Sequence, residues 1–249
     1  KQFDPVRNLP SADIFKGTSG EPLNTMETSV RFRFAYLEKF LESTFYRSSV
    51  GSPYPITELK FTKGFSGILN SSYDYTKVTG GISDYIKIPP YGSIYYNVFG
   101  GKTFGTLPFV LLDVAPGNEI YYYNRYAFNL MNRFEYLHDQ YAGINFEHNI
   151  GNGIFRFLPL TRKLKFRQFW NAKLLWGSLN EANKAFNMPA SSAYKFESLD
   201  GKTYMEIGTG VDNIFKVFRV DLVWRLLPRP LPIAQVRRFG VFFSFRLAF

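Results

Sequence analysis

The chain has 249 residues, no cysteine, 27 Phe, 17 Tyr and a formal net charge of +10. The missing thiols exclude disulfide scaffolds, thiolate metal sites and cysteine nucleophiles. No nucleic-acid motif accompanies the positive charge, so anionic lipid headgroups or a basic lumen are the partners it suggests. Mean hydropathy is −0.16, and no uninterrupted apolar run exceeds four residues, whereas a spanning helix needs about 20. A spanning barrel strand needs only about 9–11 residues, every second one apolar. Aromatic residues make up 19% of the chain, which suits the interfacial girdles of a membrane barrel. An aromatic-rich soluble sandwich is the competing reading. The chain opens at Lys1 with no initiator Met and no signal-peptide core, and is expected to be processed, a fragment, or part of something longer.

Residues 1–27 read as an N-terminal loop or linker, and 28–249 as one domain. Val30, Phe32, Phe34 and Tyr36 alternate with Arg31, Arg33 and Ala35, which predicts a strand with one apolar face. Further strands are expected at 40–48, 56–63, 68–78, 82–88, 93–104, 106–112, 141–149 and 203–211. Turn chemistry separates them at Gly51-Ser52-Pro53, Gly80-Gly81, Pro89 through Gly92, Pro116-Gly117-Asn118 and Pro228 through Pro232. Residues 128–136 also alternate (Phe128, Leu130, Phe134, Tyr136) and compete as a strand. Between 164 and 176, Leu164, Phe166, Trp170, Ala172, Leu174 and Trp176 oppose Lys165, Arg167, Asn171 and Lys173, with Gln168, Phe169 and Leu175 as interruptions. Phe218, Val220, Leu222, Trp224 and Leu226 oppose Arg219, Asp221, Val223 and Arg225. Three charges on one face of one strand suit a polar lumen and not a sandwich core.

The last segment carries the strongest signal. Phe239, Val241, Phe243, Phe245, Leu247 and Phe249 hold every second position, opposite Gly240, Phe242, Ser244, Arg246 and Ala248. The chain stops on an aromatic residue, which resembles the C-terminal signal by which outer-membrane barrels are recognised for assembly. The expected fold is therefore all-β: an antiparallel transmembrane β-barrel, multi-pass in the bacterial outer membrane, with about ten or eleven strands. Arg219, Asp221, Arg225 and Arg246 are its expected lumen-facing charges. If the last strand ends on the periplasmic side, 228–236 and the long 178–202 connection lie outside, and 212–214 and 150–163 lie inside. Arg156, Arg162 and Lys163, with Lys165 and Arg167, make 150–163 basic. It reads as a solvated turn, against a contact with lipid phosphates or a partner.

Little in the chain points to chemistry. Glu147 and His148 are strand neighbours, so they face opposite ways. His138 and Asp139 lie near a turn, and no third ligand completes a metal site. No serine is singled out for a hydrolase, and Gly100-Gly101-Lys102-Thr103 lacks the spacing of a phosphate loop; it reads as a turn or barrel kink. No catalytic residue, cofactor or metal is assigned.

The order of segments resembles the Omp85 superfamily of BamA-like, D15 surface-antigen barrels. It resembles more closely a Bacteroidetes outer-membrane family of unknown function whose members often carry an N-terminal carboxypeptidase-regulatory-like domain. The stretches that carry this are Tyr126 to Glu135, Tyr141 to His148, Lys163 to Gly177, Met205 to Val211 and the last strand, roughly 95–249 overall. The resemblance implies a sixteen-stranded barrel, of which this chain is the C-terminal part. It also implies a loop, after the fifth strand from the end, that folds into the lumen and presents an Arg-Gly-aromatic tip to the wall. Here 113–139 corresponds, with Arg125-Tyr126 at the tip and the glycine missing. Asn171 stands where the family's wall strand carries an acid, and Glu147 is the alternative partner for Arg125. The implied function is assembly, insertion or translocation of outer-membrane or surface proteins. The seam would be the last strand, pairing weakly with the first and accepting a client strand. A passive accessory or structural barrel in a larger envelope complex is the alternative, and an outer-membrane lipid enzyme ranks last. Expected partners are outer-membrane lipid and lipopolysaccharide, protein partners in an envelope complex and client outer-membrane proteins, with no nucleic acid.

Overall fold

A computed structural model describes residues 24–157, 164–188, 196–229 and 237–245. The described residues form thirteen strands: β1 (Glu27–Ala35), β2 (Lys39–Glu42), β3 (Arg47–Gly51), β4 (Ile56–Gly64), β5 (Tyr75–Lys87), β6 (Ser93–Phe104), β7 (Asp113–Val114), β8 (Leu137–His138), β9 (Gln140–Gly151), β10 (Arg167–Ser178), β11 (Thr203–Ile214), β12 (Phe218–Leu227) and β13 (Phe239–Phe245). One short helix, α1 (Glu181–Asn187), follows β10.

Nine strands form one antiparallel sheet in the order β1-β4-β5-β6-β9-β10-β11-β12-β13. Neighbours in the sheet are also neighbours in sequence, apart from the short pairs β2-β3 and β7-β8 inserted between them. Among the described residues the sheet is open, with β1 at one edge and β13 at the other. Connections alternate between its two ends. The long ones, 105–139 and 179–202, share an end with 65–74 and 228–238. The tight turns 88–92 and 215–217 lie at the opposite end, with 36–55 and 152–166.

Period-two alternation gives the sheet two different faces. One face carries Val30, Phe32, Phe34, Leu59, Phe61, Ile82, Val98, Trp170, Trp176, Phe218, Trp224, Phe239, Phe243 and Phe245, all exposed. Facing rings meet across β12 and β13: Phe218 with Phe245 at 5.0 Å, and Trp224 with Phe239 at 5.3 Å. The other face is covered by residues 105–139, whose Leu107, Phe109, Leu112, Phe128, Met131 and Tyr136 are buried. Helix α1 closes one end of that cover. Its Asn183 accepts from the Leu107 N–H at 2.9 Å and donates to Asp139, and Asn187 donates to the Leu107 carbonyl.

Several expected boundaries shift. The strands expected at 68–78 and 82–88 are replaced by the single β5, and Gly80-Gly81 is not a turn. Both glycines pair within the sheet, opposite Leu59 and Glu58 on one side and Gly100 and Phe99 on the other. They admit close backbone approach: a Cβ at Gly81 would stand 3.1 Å from the Val98 carbonyl oxygen. Gly100-Gly101 likewise lies inside β6. Residues 106–112 are apolar because they are buried in a loop, not because they form a strand. The strand expected at 40–48 is a two-stranded hairpin, β2-β3, outside the main sheet. Residues 128–136 belong to the loop that covers one face of the sheet and not to a strand. Arg246, Leu247, Phe249 and the basic residues Arg162 and Lys163 lie outside the described residues.

Candidate functional site

The covered face is where charge collects. Register brings Tyr95 opposite Glu147, Glu147 opposite Asn171, and Asn171 opposite Gly208. Lys173 pairs with Glu206, and Asp221 with Gly210. Side chains two apart on a strand share a face, so Glu147, Asn171, Lys173, Glu206, Arg219, Asp221 and Arg225 all look toward the cover. Each of the seven is buried. Buried charges need partners, and segment 113–139 supplies many of them.

Arg225 grips Glu135 at 2.8 Å and the Tyr136 hydroxyl at 2.8 Å. Glu206 accepts the backbone N–H groups of Asn129 (2.9 Å) and Leu130 (2.7 Å) and the Tyr204 hydroxyl. The Lys173 ammonium donates to the carbonyls of Asn124 (2.7 Å) and Ala127 (2.5 Å). Here side chains of the sheet satisfy the backbone of an irregular segment, as buried peptide groups require. At the tip, Arg125 bonds Glu147 at 2.9 Å and its guanidinium lies over the Tyr95 ring at 4.6 Å. The other oxygen of Glu147 meets Arg219 at 2.8 Å, and Arg219 forks onto Asp221 at 2.9 and 2.7 Å. The Arg219 guanidinium also stacks on Phe169 at 3.6 Å. The result is one line of alternating charge, Arg125–Glu147–Arg219–Asp221, running from the loop tip into the wall.

The sequence-derived tip residues therefore meet in part. Arg125 joins Glu147, the alternative partner, and not Asn171. The Asn171 amide packs against Gly208, where a Cβ would fall 2.5 Å from its Oδ1. Tyr126 is exposed and meets Tyr95 edge-on at 6.5 Å. Arg219, Asp221 and Arg225, the charges expected to face a lumen, lie on the covered face of the sheet. Phe239, Val241, Phe243 and Phe245 fall on the opposite face, the apolar one. Glu206 and Glu135 went unassigned in sequence, and Lys173 was placed only on the polar face of its strand. The alternation of Glu206 with Met205 and Ile207 was a signal for the face it occupies, whereas Glu135 lies in the loop and carried none.

In this arrangement fixed charges on the sheet hold the loop in place. The two histidines lie apart. His148 contacts the Tyr91 carbonyl at 2.9 Å on the exposed face, and His138 is buried against Tyr141. Among the described residues no three His, Asp or Glu side chains are grouped to hold a metal.

No curated protein matches the chain. Residues 2–183 match a family of unknown function, the DUF5686 C-terminal domain. That match begins well before residue 95, where the resemblance began, and stops short of β11. It spans more than half the chain, and the chain belongs to the DUF5686 family.

Proposed function

We propose that this chain is the C-terminal part of an outer-membrane β-barrel of Omp85-like type. Its work is to assemble, insert or translocate outer-membrane or surface proteins. The observation that carries the barrel is the contrast between the two sheet faces. A soluble protein rarely exposes an apolar patch larger than a few hundred Å², and here the uncovered face is apolar across the middle of the sheet, with Lys63, Asp84, Lys102 and His148 toward the strand ends. Lipid is the environment that makes such a face stable, with the ion network in the lumen. Five sheet strands follow the clamped segment 105–139, the segment that the Omp85 resemblance matches to its lumen loop. The two longest connections, 105–139 and 179–202, then lie outside and the two shortest, 88–92 and 215–217, at the periplasmic face, as is usual in these barrels, while 36–55 and 152–166 are longer than a usual periplasmic turn.

The chain's three tryptophans, Trp170, Trp176 and Trp224, all lie on the exposed face. Reconstitution into vesicles containing brominated lipid is expected to quench most of their fluorescence. Unquenched, aqueous emission in inserted protein would sink the barrel reading. The transport role has a separate test. Depletion of the protein from cells is expected to deplete specific outer-membrane or surface proteins, and mild-detergent purification to recover assembly partners. Purification alone, with an unchanged membrane proteome, favours the passive accessory barrel. Asn171 in place of the family acid gives that second reading its support.

A further inference from the structure

We propose that Tyr121–Tyr123 is a strap that occupies the free edge of β13 and must withdraw before that edge accepts another strand. The inference deepens the seam reading above and rests on it.

Among the described residues, β12 is the only strand paired with β13. On its other side the Phe243 N–H donates to the Tyr121 carbonyl at 2.9 Å, and the Tyr123 N–H donates to the Phe243 carbonyl at 2.9 Å. The bridge is parallel and sets Tyr122 opposite Phe243. Both of these side chains are exposed, on the apolar face, while Tyr123 is buried with Leu130, Val223 and Phe242. The strap thus keeps the alternation of the sheet, as an added strand does. Its ends are held separately. Arg237 donates to the Tyr121 hydroxyl at 3.0 Å, and Arg219 lies over the Tyr123 ring at 4.8 Å.

The strap is also weakly held. It bonds a single residue of β13, whereas strand alternation turns the amides of Phe239, Val241 and Phe245 toward the same edge. A full strand would use all four. Pockets of about 240 and 230 Å³ flank the strap, so the packing that opposes its movement is chiefly that of the buried Tyr123. An edge carrying a short internal occupant is protected from chance pairing, yet yields to a longer strand that makes more bonds.

The chain has no cysteine, so an introduced pair has no competitor. Bridged neighbours on adjacent strands fall within disulfide reach. The test uses the full chain carrying Tyr122→Cys and Phe243→Cys, in outer-membrane vesicles. The probe is a biotinylated synthetic peptide of sequence Phe239–Phe249, a stand-in for an incoming terminal strand. The disulfide is expected to form without a crosslinker. Peptide capture is expected to be at least tenfold lower oxidised than reduced. Arg237→Ala, which frees Tyr121 without touching β13, is expected to raise capture severalfold. Absence of the disulfide overturns the strap. Equal capture in both redox states overturns gating and leaves the seam reading standing. No capture in any state, Arg237→Ala included, removes the seam reading and the strap's role with it.

Discussion

At the scale of single residues, the covered face depends on pairing more than on packing. Arg225 and Glu135 are both buried and hold each other. Removing one partner leaves an uncompensated charge, at a cost of about 3–5 kcal/mol. Arg225→Met is therefore expected to lower the unfolding free energy by that order. Arg225→Met combined with Glu135→Leu is expected to recover most of it, because an apolar pair has no charge to strand. Urea unfolding of the single and double variants in one detergent measures the difference. If the double variant is as unstable as the single one, the pair is not the source of the loss. Glycines give a second contrast. A Cβ at Gly208 would meet the end of the Asn171 side chain, whereas one at Gly210 would stand 2.0 Å from the Val220 carbonyl oxygen. Gly208→Ala is expected to cost about 1–3 kcal/mol and to be rescued by Asn171→Ala. Gly210→Ala is expected to cost more and to resist that rescue, because a backbone atom cannot be trimmed. Thermal denaturation of the two glycine variants, each with and without Asn171→Ala, decides.

At the scale of elements, alternation made the sheet legible and long-range contact did not. Strands such as β6, β12 and β13 follow directly from apolar residues at every second position. The split at Gly80-Gly81 failed because glycine marks a turn and a close strand approach with the same letter. Residues 106–112 failed because an apolar run reads alike in a strand and in a buried loop. The clamp was half legible: the charges on β12 declare their face, but that Glu206 receives the backbone of Asn129 and Leu130 depends on register across 76 residues or more. The hairpin β2-β3 is an element with no core of its own. Phe45 at its tip is 94% exposed, and its neighbours Leu41, Tyr46 and Val50 are exposed as well. A lone two-stranded hairpin is marginal in water, so brief chymotrypsin treatment of detergent-solubilised protein is expected to cut at Phe45 or Tyr46 and spare the main sheet. Glu38 ties the hairpin to β1: it accepts from Arg33 at 2.5 and 2.6 Å, and from Ser49. The Arg33 hydrogen bonds, then that of Ser49, hold its carboxyl down at about 2. A depressed carboxyl stabilises the folded form above its unfolded value and loses that effect as pH falls toward the folded one. The tie is therefore expected to hold at pH 5 and to weaken between about pH 4 and pH 2. Hydrogen exchange of residues 39–51 should quicken across that window, and Glu38→Gln should abolish the step.

At the scale of the whole molecule, the sheet has two unlike faces, and the same substitution on the uncovered one has a small effect in water and a large one in lipid. On a soluble protein, an exposed apolar residue changed to arginine alters stability by no more than about 0.5 kcal/mol. On the lipid face of a barrel, arginine near the bilayer midplane costs about 2–4 kcal/mol, and less toward the interfaces. Val98 is exposed, and it sits mid-strand in β6 between Ile82 and Ile144. Phe104 is exposed at the end of the same strand. Val98→Arg is expected to destabilise the inserted protein by about 2–4 kcal/mol, and Phe104→Arg by about 1 kcal/mol or less, as the depth dependence requires. Equal and negligible effects at both positions would mean that water, or a protein partner tolerant of charge, covers this face. A large effect at Val98 alone would fix lipid as the solvent of the uncovered face. The buried line from Arg125 to Asp221 would then be the polar filling of a membrane barrel.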